Sequence, residues 1–130
     1  MGRVHEVSNA YLVDTNVIVW GWHEPQRVPE RLRRLLEGDG DFYVSIASIW
    51  EISIKAAIGK LVTVQNISEA LMETGYRILP IKVEHVEAVR YLPLHHRDPY
   101  DRLLICQARL EELILVATDR QFSNYDVMLA

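Results

Sequence analysis

The apolar positions of this chain fall into two alternating patterns. Short runs rich in β-branched and aromatic residues occur at Tyr11–Val13, Phe42–Ser45, Arg77–Ile81 and Ile114–Ala117. Between them lie longer segments with apolar residues three or four apart, the spacing of a helix that buries one face. Glu30–Glu37 sets Leu32, Leu35 and Leu36 on one side, and Ser48–Ile58 follows the second run. Ser68–Thr74 runs from a serine to the Gly75 that stops it. Val83–Tyr91 repeats Val83, Val86 and Val89 or Ala88, and Pro99–Glu112 carries Leu103, Leu104, Ala108 and Leu110. Trp20 and Trp22 follow the first run at near-helical spacing; they read as core, with a partner or dimer contact as the alternative. Strands separated by helices imply βαβ units and a mostly parallel sheet, hence an α/β fold. The tail Tyr125–Leu129 is expected to add a short edge strand. With 130 residues, no internal repeat and no linker-like tract, residues 1–130 are expected to form a single domain.

Composition narrows the class. Hydrophobic residues at 49% and charged residues at 25% are a globular balance that argues against disorder. The one cysteine, Cys106, allows no intramolecular disulfide and reads as a buried, inert thiol in an apolar helix. The five histidines show no paired zinc-ligand spacing, and the adjacent His95 and His96 point apart on any regular element. No long apolar run precedes the first acid, so no secretory leader is expected. No stretch approaches the about 18 apolar residues of a membrane span, so a soluble cytoplasmic protein is expected. Lys and Arg number 14 against 18 Asp and Glu, a formal charge of −4. That balance argues against a simple nucleic-acid clamp, but not against an enzyme that gathers carboxylates in one place.

In open α/β sheets, ligands bind beyond the carboxyl ends of the strands, and several acids of this chain fall there. Asp14 ends the first apolar strand and Asp119 ends the last. Each alone has an ordinary structural reading as a cap or turn residue. Glu51 lies three residues after Ser48, which fits a capping box, and four before Lys55, which fits a helical ion pair. Yet Ile49, Trp50, Ile52 and Ile54 make its surroundings apolar, and a buried acid needs a partner. Asp98 before Pro99 reads as a helix N-cap, which leaves Asp101 to point toward the sheet edge. The reverse assignment, or both acids serving the site, stays open. Taken together, the pattern is two acids at strand ends and two at helix amino termini, near one edge of a parallel sheet. Clustered carboxylates repel one another, and hard oxygen donors without cysteine or paired histidine suit Mg²⁺ or Mn²⁺. Carboxylate-held Mg²⁺ is a recurring means of cleaving phosphodiesters.

These segments resemble the PIN domain, specifically the toxin nucleases of bacterial VapBC-type toxin–antitoxin pairs. Tyr-Leu-Val-Asp-Thr-Asn is similar to the family's opening motif. Ser-Ile-Trp-Glu-Ile-Ser-Ile-Lys, followed by Gly59, Lys60 and Leu61, is similar to its second. His-Arg-Asp-Pro-Tyr-Asp-Arg-Leu-Leu-Ile-Cys-Gln-Ala resembles its third and Thr-Asp-Arg-Gln-Phe its fourth. Four motifs in order, from about Tyr11 to Tyr125, make a specific signal. Tyr100 stands where many relatives carry Phe, and Cys106 where many carry Ala; neither departure touches a carboxylate.

The resemblance implies a three-layer α/β/α sandwich and a Mg²⁺-dependent endoribonuclease (Mn²⁺ as the alternative ion), usually a homodimer, held in check by a cognate antitoxin. Carried over residue by residue, Asp14, Glu51, Asp101 and Asp119 form the acidic site, with Asp14 and Asp101 as the direct metal ligands. Thr15, Asn16, Ser48 and Thr118 flank the acids as supporting residues, and Asp98 is a further helper. Lys55, Lys60, Arg97 and Arg102 are candidate contacts to RNA phosphates, each with a solvated surface charge as the plain alternative. Arg31, Arg33 and Arg34 read as a solvated helix face or as the rim of an antitoxin groove. Two other classes compete. A phospho-aspartate hydrolase would need a second Asp where Asn16 stands. A non-catalytic binding module has no reason to sustain four mutually repelling acids. Assigning four of the 18 acids to one site leaves 14 against the 14 Lys and Arg, so the negative charge reads as a local pocket on a balanced surface.

Overall fold

The computed structural model describes residues 9–130; residues 1–8, where no leader segment is expected, lie outside the described residues. Four strands, β1 (Ala10–Val13), β2 (Asp41–Ser45), β3 (Arg77–Leu79) and β4 (Ile114–Val116), form one sheet in the order β3-β2-β1-β4. Every pairing is parallel, with Leu12 opposite both Tyr43 and Leu115, and Val44 opposite Ile78. Six helices flank it: α1 (Thr15–His23), α2 (Glu30–Glu37), α3 (Ile46–Ala57), α4 (Ile67–Glu73), α5 (Val83–Ala88) and α6 (Pro99–Leu110).

Alternation along the strands builds two cores. Leu12, Leu115 and Leu79 face one side, where they pack with Leu104, Ile105, Ala108 of α6 and with Phe122. Val13, Val44 and Val116 face the other, against Val17 and Ile18 of α1, Leu32 of α2 and Leu71 of α4. Because successive side chains of a strand point to opposite faces, a four-residue strand such as β1 serves both cores. The result is the expected α/β/α layering.

The element ends differ from the sequence pattern in instructive ways. β3 stops at Leu79 rather than Ile81, because Pro80 has no amide to donate to the ladder. The helical pattern over 83–91 yields α5 only to Ala88, then a 3-10 turn over Val89–Tyr91. α6 ends at Leu110, where Glu112 adopts a left-handed φ of 56° and Leu113 N donates to Ala108 O at 2.8 Å, a helix-ending motif that normally uses glycine. The tail adds less than a strand: one parallel bridge joins Leu129 to Leu115, framed by bonds from Leu115 N to Met128 O and from Ala130 N to Leu115 O. α3 starts directly at the end of β2, two residues before the expected Ser48, and touches both α1 and α6. That early start places it across the carboxyl edge of the sheet.

Candidate metal centre at the carboxyl edge

Three elements deliver the acids. Asp14 is the residue between β1 and α1, and its own amide is held by Val116 O of the neighbouring strand at 2.9 Å. Its side chain is almost fully buried, at 3% exposure. Glu51 sits in the second turn of α3, also buried. Asp101 is in the first turn of α6. The ordinary reading of Asp98 holds: it is the N-cap of α6 and accepts the Asp101 amide at 3.0 Å. Asp98 thereby takes the capping role, in which the Asp101 carboxylate has no part. Trp50 and Tyr100, each one residue before an acid, meet edge to face at 5.1 Å and so couple α3 to α6.

The capping box expected at Ser48 is not what forms. Ser45 caps α3 by accepting the Ala47 amide at 2.9 Å. Ser48 is instead buried inside the helix and accepts from Thr15 Oγ1 at 2.8 Å. This bond ties the amino terminus of α1 to α3, and hence Asp14 to Glu51. Asn16 is exposed on α1, and Thr118 is half-buried beside Asp119.

The electrostatics show how crowded the edge is. Burial pushes the Asp14 carboxyl up to about 8, and the charges of Asp101 and then Glu51 push the same way; the Thr15 and Asn16 amides draw it partly back. Burial likewise raises Asp101 to about 6, with Asp98 and Glu51 adding to it and His96 opposing. Glu51 has one oxygen, Oε2, paired with Lys55 Nζ at 2.8 Å. That hydrogen bond is the main reason the Lys55 ammonium is held above its ordinary range. The other oxygen, Oε1, is buried with no partner among the described residues. Leaving a buried carboxylate oxygen unpaired costs free energy, and a cation placed among these acids would remove that cost.

Asp119 lies farther out. It caps the 3-10 turn Arg120–Asn124 by accepting the Gln121 amide at 2.9 Å, and its side chain is 40% exposed. What joins it to the others is a residue that sequence reasoning missed. His96 Nε2 lies 2.6 Å from Asp101 Oδ2 and 3.9 Å from Asp119 Oδ2. Ligand-capable atoms of His96, Asp101 and Asp119 all fall within 4.8 Å of one another. The two adjacent histidines do point apart: His95 is exposed and lies edge to face with Tyr125, while His96 turns inward. The only signal was position, two residues before the capping Asp98.

The expected phosphate contacts separate into two groups. Lys55 is engaged with Glu51. Arg102 is engaged with the fold: its guanidinium donates to the carbonyls of Val89, Leu92, Pro93 and His96 at 2.9–3.2 Å and so fastens the loop before α6. Lys60 and Arg97 are exposed and make no ion pair among the described residues. Cys106 is buried in α6, where burial pushes its thiol up.

On the opposite core lies a separate groove of 360 Å³ between α1 and α2, lined by Val17, Ile18, Trp22, Val28, Leu36 and Tyr76, with Arg33 and Glu37 also at its wall. None of Asp14, Glu51, Asp101 and Asp119 lines it. Trp22 thus faces a cavity, while Trp20 carries the Arg27 guanidinium 4.3 Å above its ring.

The molecule is thus a parallel α/β/α sandwich that gathers carboxylates at its carboxyl edge, and hard oxygen donors of that kind suit a divalent ion. Residues 11–128 match the PIN domain, and the chain belongs to the PIN-domain family. Members of that family generally bind divalent metal and are typically metal-dependent nucleases. The fold is similar to a chain of the VapBC2 complex from Rickettsia felis bound to a DNA fragment from its promoter, with a TM-score of 0.68, 18% identity, and coverage of 92% of this chain and 96% of that one. It is also similar to a toxin–antitoxin complex from Klebsiella pneumoniae (TM-score 0.67, 15% identity, 93% and 97% covered). A third likeness is to FitAcB from Neisseria gonorrhoeae (TM-score 0.63, 20% identity, 92% and 95% covered). At these identities the likeness is one of fold. No curated protein sequence matches the chain. Among the described residues no helix is long and apolar enough to cross a membrane.

Proposed function

We propose that this chain is a divalent-metal-dependent endoribonuclease of the cytoplasm, acting as the toxin of a toxin–antitoxin pair and inhibited by its cognate antitoxin. The observation that carries the reading is the unpartnered, buried Oε1 of Glu51 beside Asp14 and Asp101. The donor set fits Mg²⁺, with Mn²⁺ as the alternative, because it is dominated by hard carboxylate oxygens. Asp14 and Asp101 would hold the ion directly, with Glu51 and Asp119 completing the acidic shell. When bound, such an ion supplies an oriented, more acidic water and neutralises charge on the phosphate oxygens.

The chain's own residues prepare that site. The Thr15–Ser48 bond fixes α1 against α3, Asp98 relieves Asp101 of capping, and Lys55 holds one oxygen of Glu51. Lys60 and Arg97, exposed and close in sequence to the acids, serve as the phosphate contacts of this reading. The groove beside α1 and α2 supports the antitoxin part: it is apolar, separate from the acids, and bears Arg33 and Glu37 at its wall, as a groove for an amphipathic segment requires. A homodimer is expected in solution, which light scattering reads directly.

The test is cleavage of single-stranded RNA by the purified chain with Mg²⁺, abolished by EDTA and by Asp14→Asn or Asp101→Asn. Undiminished cleavage in both variants would overturn the site. The competing reading is a non-catalytic module that holds RNA or protein. It predicts no Mg²⁺ uptake in calorimetry and unchanged RNA binding in the Asn variants.

A further inference from the structure

Among the described residues His96 is the one imidazole in the acidic edge, and its surroundings fix it well. Its amide donates to the Tyr125 hydroxyl at 2.7 Å, and its carbonyl accepts from Arg102 at 3.2 Å. Its ring stands edge to face with Phe122 at 6.1 Å and 89°, and Phe122 is fully buried. Arg102 also grips three carbonyls upstream, and Tyr125 takes the His95 amide as well. The loop is therefore anchored without help from the imidazole nitrogen. The 2.6 Å bond from that nitrogen to Asp101 adds little to the loop, and its consequence falls on Asp101.

We propose that His96 is a positioning residue of the metal site: by donating from Nε2 to Asp101 Oδ2, it holds that carboxylate turned so that its other oxygen is left to receive the divalent cation. An ionised carboxylate only accepts hydrogen bonds, so the ring is the donor. A free carboxylate rotates about its last bond and must be stilled when a cation binds. One oxygen held by a rigid donor removes that rotation beforehand, which is how outer partners orient metal ligands and tighten metal binding. This rests on the metal-site reading proposed above.

Calorimetric titration of the full chain with Mg²⁺ and Mn²⁺ tests it, with metal-free melting measured alongside. His96→Ala is expected to weaken both ions by about 10- to 100-fold. His96→Gln, which retains a donor, is expected to recover most of that loss, and metal-free melting should barely move. Should His96→Ala fail to fold, His96→Leu, which refills the space against Phe122 without a donor, is read in its place. Three outcomes overturn the proposal. The first is a donor-free variant that binds both ions within about threefold of the original chain. The second is a loss confined to Mn²⁺ that His96→Gln does not repair, since that is the mark of direct nitrogen ligation. The third is absence of metal binding by the unaltered chain, which removes the underlying site reading as well, whereas the first two leave it standing.

Discussion

Two groups of buried polar residues lie in this molecule, and they are built on opposite terms. One runs through the interior from Ser45 to Glu111. Ser45 Oγ donates to Gln107 Oε1 at 2.6 Å, Gln107 Nε2 reaches Pro80 O and His85 Nδ1, and His85 Nε2 meets Glu111 Oε2 at 2.8 Å, where Lys82 joins at 3.0 Å. Ser45, His85 and Gln107 are fully buried, and none of their side-chain polar atoms is orphaned. The hydrogen bonds from His85 and Lys82 hold the Glu111 carboxyl below its ordinary range. The other group is the acidic edge, where Asp14 and Asp101 are held above theirs and Glu51 keeps an unpartnered oxygen. A satisfied network specifies packing. An unsatisfied one costs stability unless an ion or water completes it.

The largest expected effect comes from removing that incompleteness. Asp14→Asn should lower RNA cleavage by on the order of 100-fold or more, since it removes a ligand and its charge. In the same protein, without metal at pH 8, it should raise unfolding free energy by about 2 kcal/mol in urea titrations, because a strained buried charge is gone. If stability fell instead, the acids would be structural like Glu111.

The mirror experiment is Gln107→Leu. It leaves the buried Ser45 hydroxyl without its acceptor and the Pro80 carbonyl without its donor, so a destabilisation of about 2–3 kcal/mol is expected by denaturant titration. Mg²⁺ affinity should fall less than in any acid variant. Equal losses in both would dissolve the distinction between the two groups.

Acidity separates them more gently. The Asp14 carboxyl rises on folding from an ordinary 3.8 to about 8, so the native state binds the extra proton. Stability of the metal-free chain from this group is therefore full below about 4 and is lost as pH climbs to about 8. Glu111, lowered on folding, works the other way: its contribution is present above the ordinary glutamate range and is lost as pH falls through its folded value. Melting curves without metal should thus decline from pH 5 to 8 in the original chain, whereas in Asp14→Asn only the shallower decline up to about pH 6 from Asp101 should remain. Added Mg²⁺ should raise the melting temperature more at pH 8 than at pH 5. The smallest effect lies outside both groups. Glu112→Gly relieves a left-handed residue at the end of α6 and should stabilise by about 0.5–1 kcal/mol, with cleavage unchanged.

How much of this was legible beforehand depended on the range of the interactions. Alternating apolar runs and helical spacing are local and period-bound, so the α/β alternation, the parallel sheet and the helix over Glu30–Glu37 were readable. So was the division of labour between Asp98 and Asp101, because N-capping is settled by residues three apart. The Ser48 capping box failed for a tertiary reason: Thr15, 33 residues away, claims the Ser48 hydroxyl, and Ser45 caps instead. Arg102 looked like a surface cation because its four carbonyl partners come from a loop with no pattern of its own.

The sequence by itself determined which residues carry charge, where strands and helices alternate, and that the acids fall at one edge of the sheet. Only the tertiary structure decided that His96 rather than His95 faces Asp101, that one oxygen of Glu51 is left without a partner among the described residues, and that the apolar groove stands apart from the acidic edge. Periodicity assigns a side chain to a face of its own element. Partners across elements are set by how loops and layers pack, and no local period encodes that.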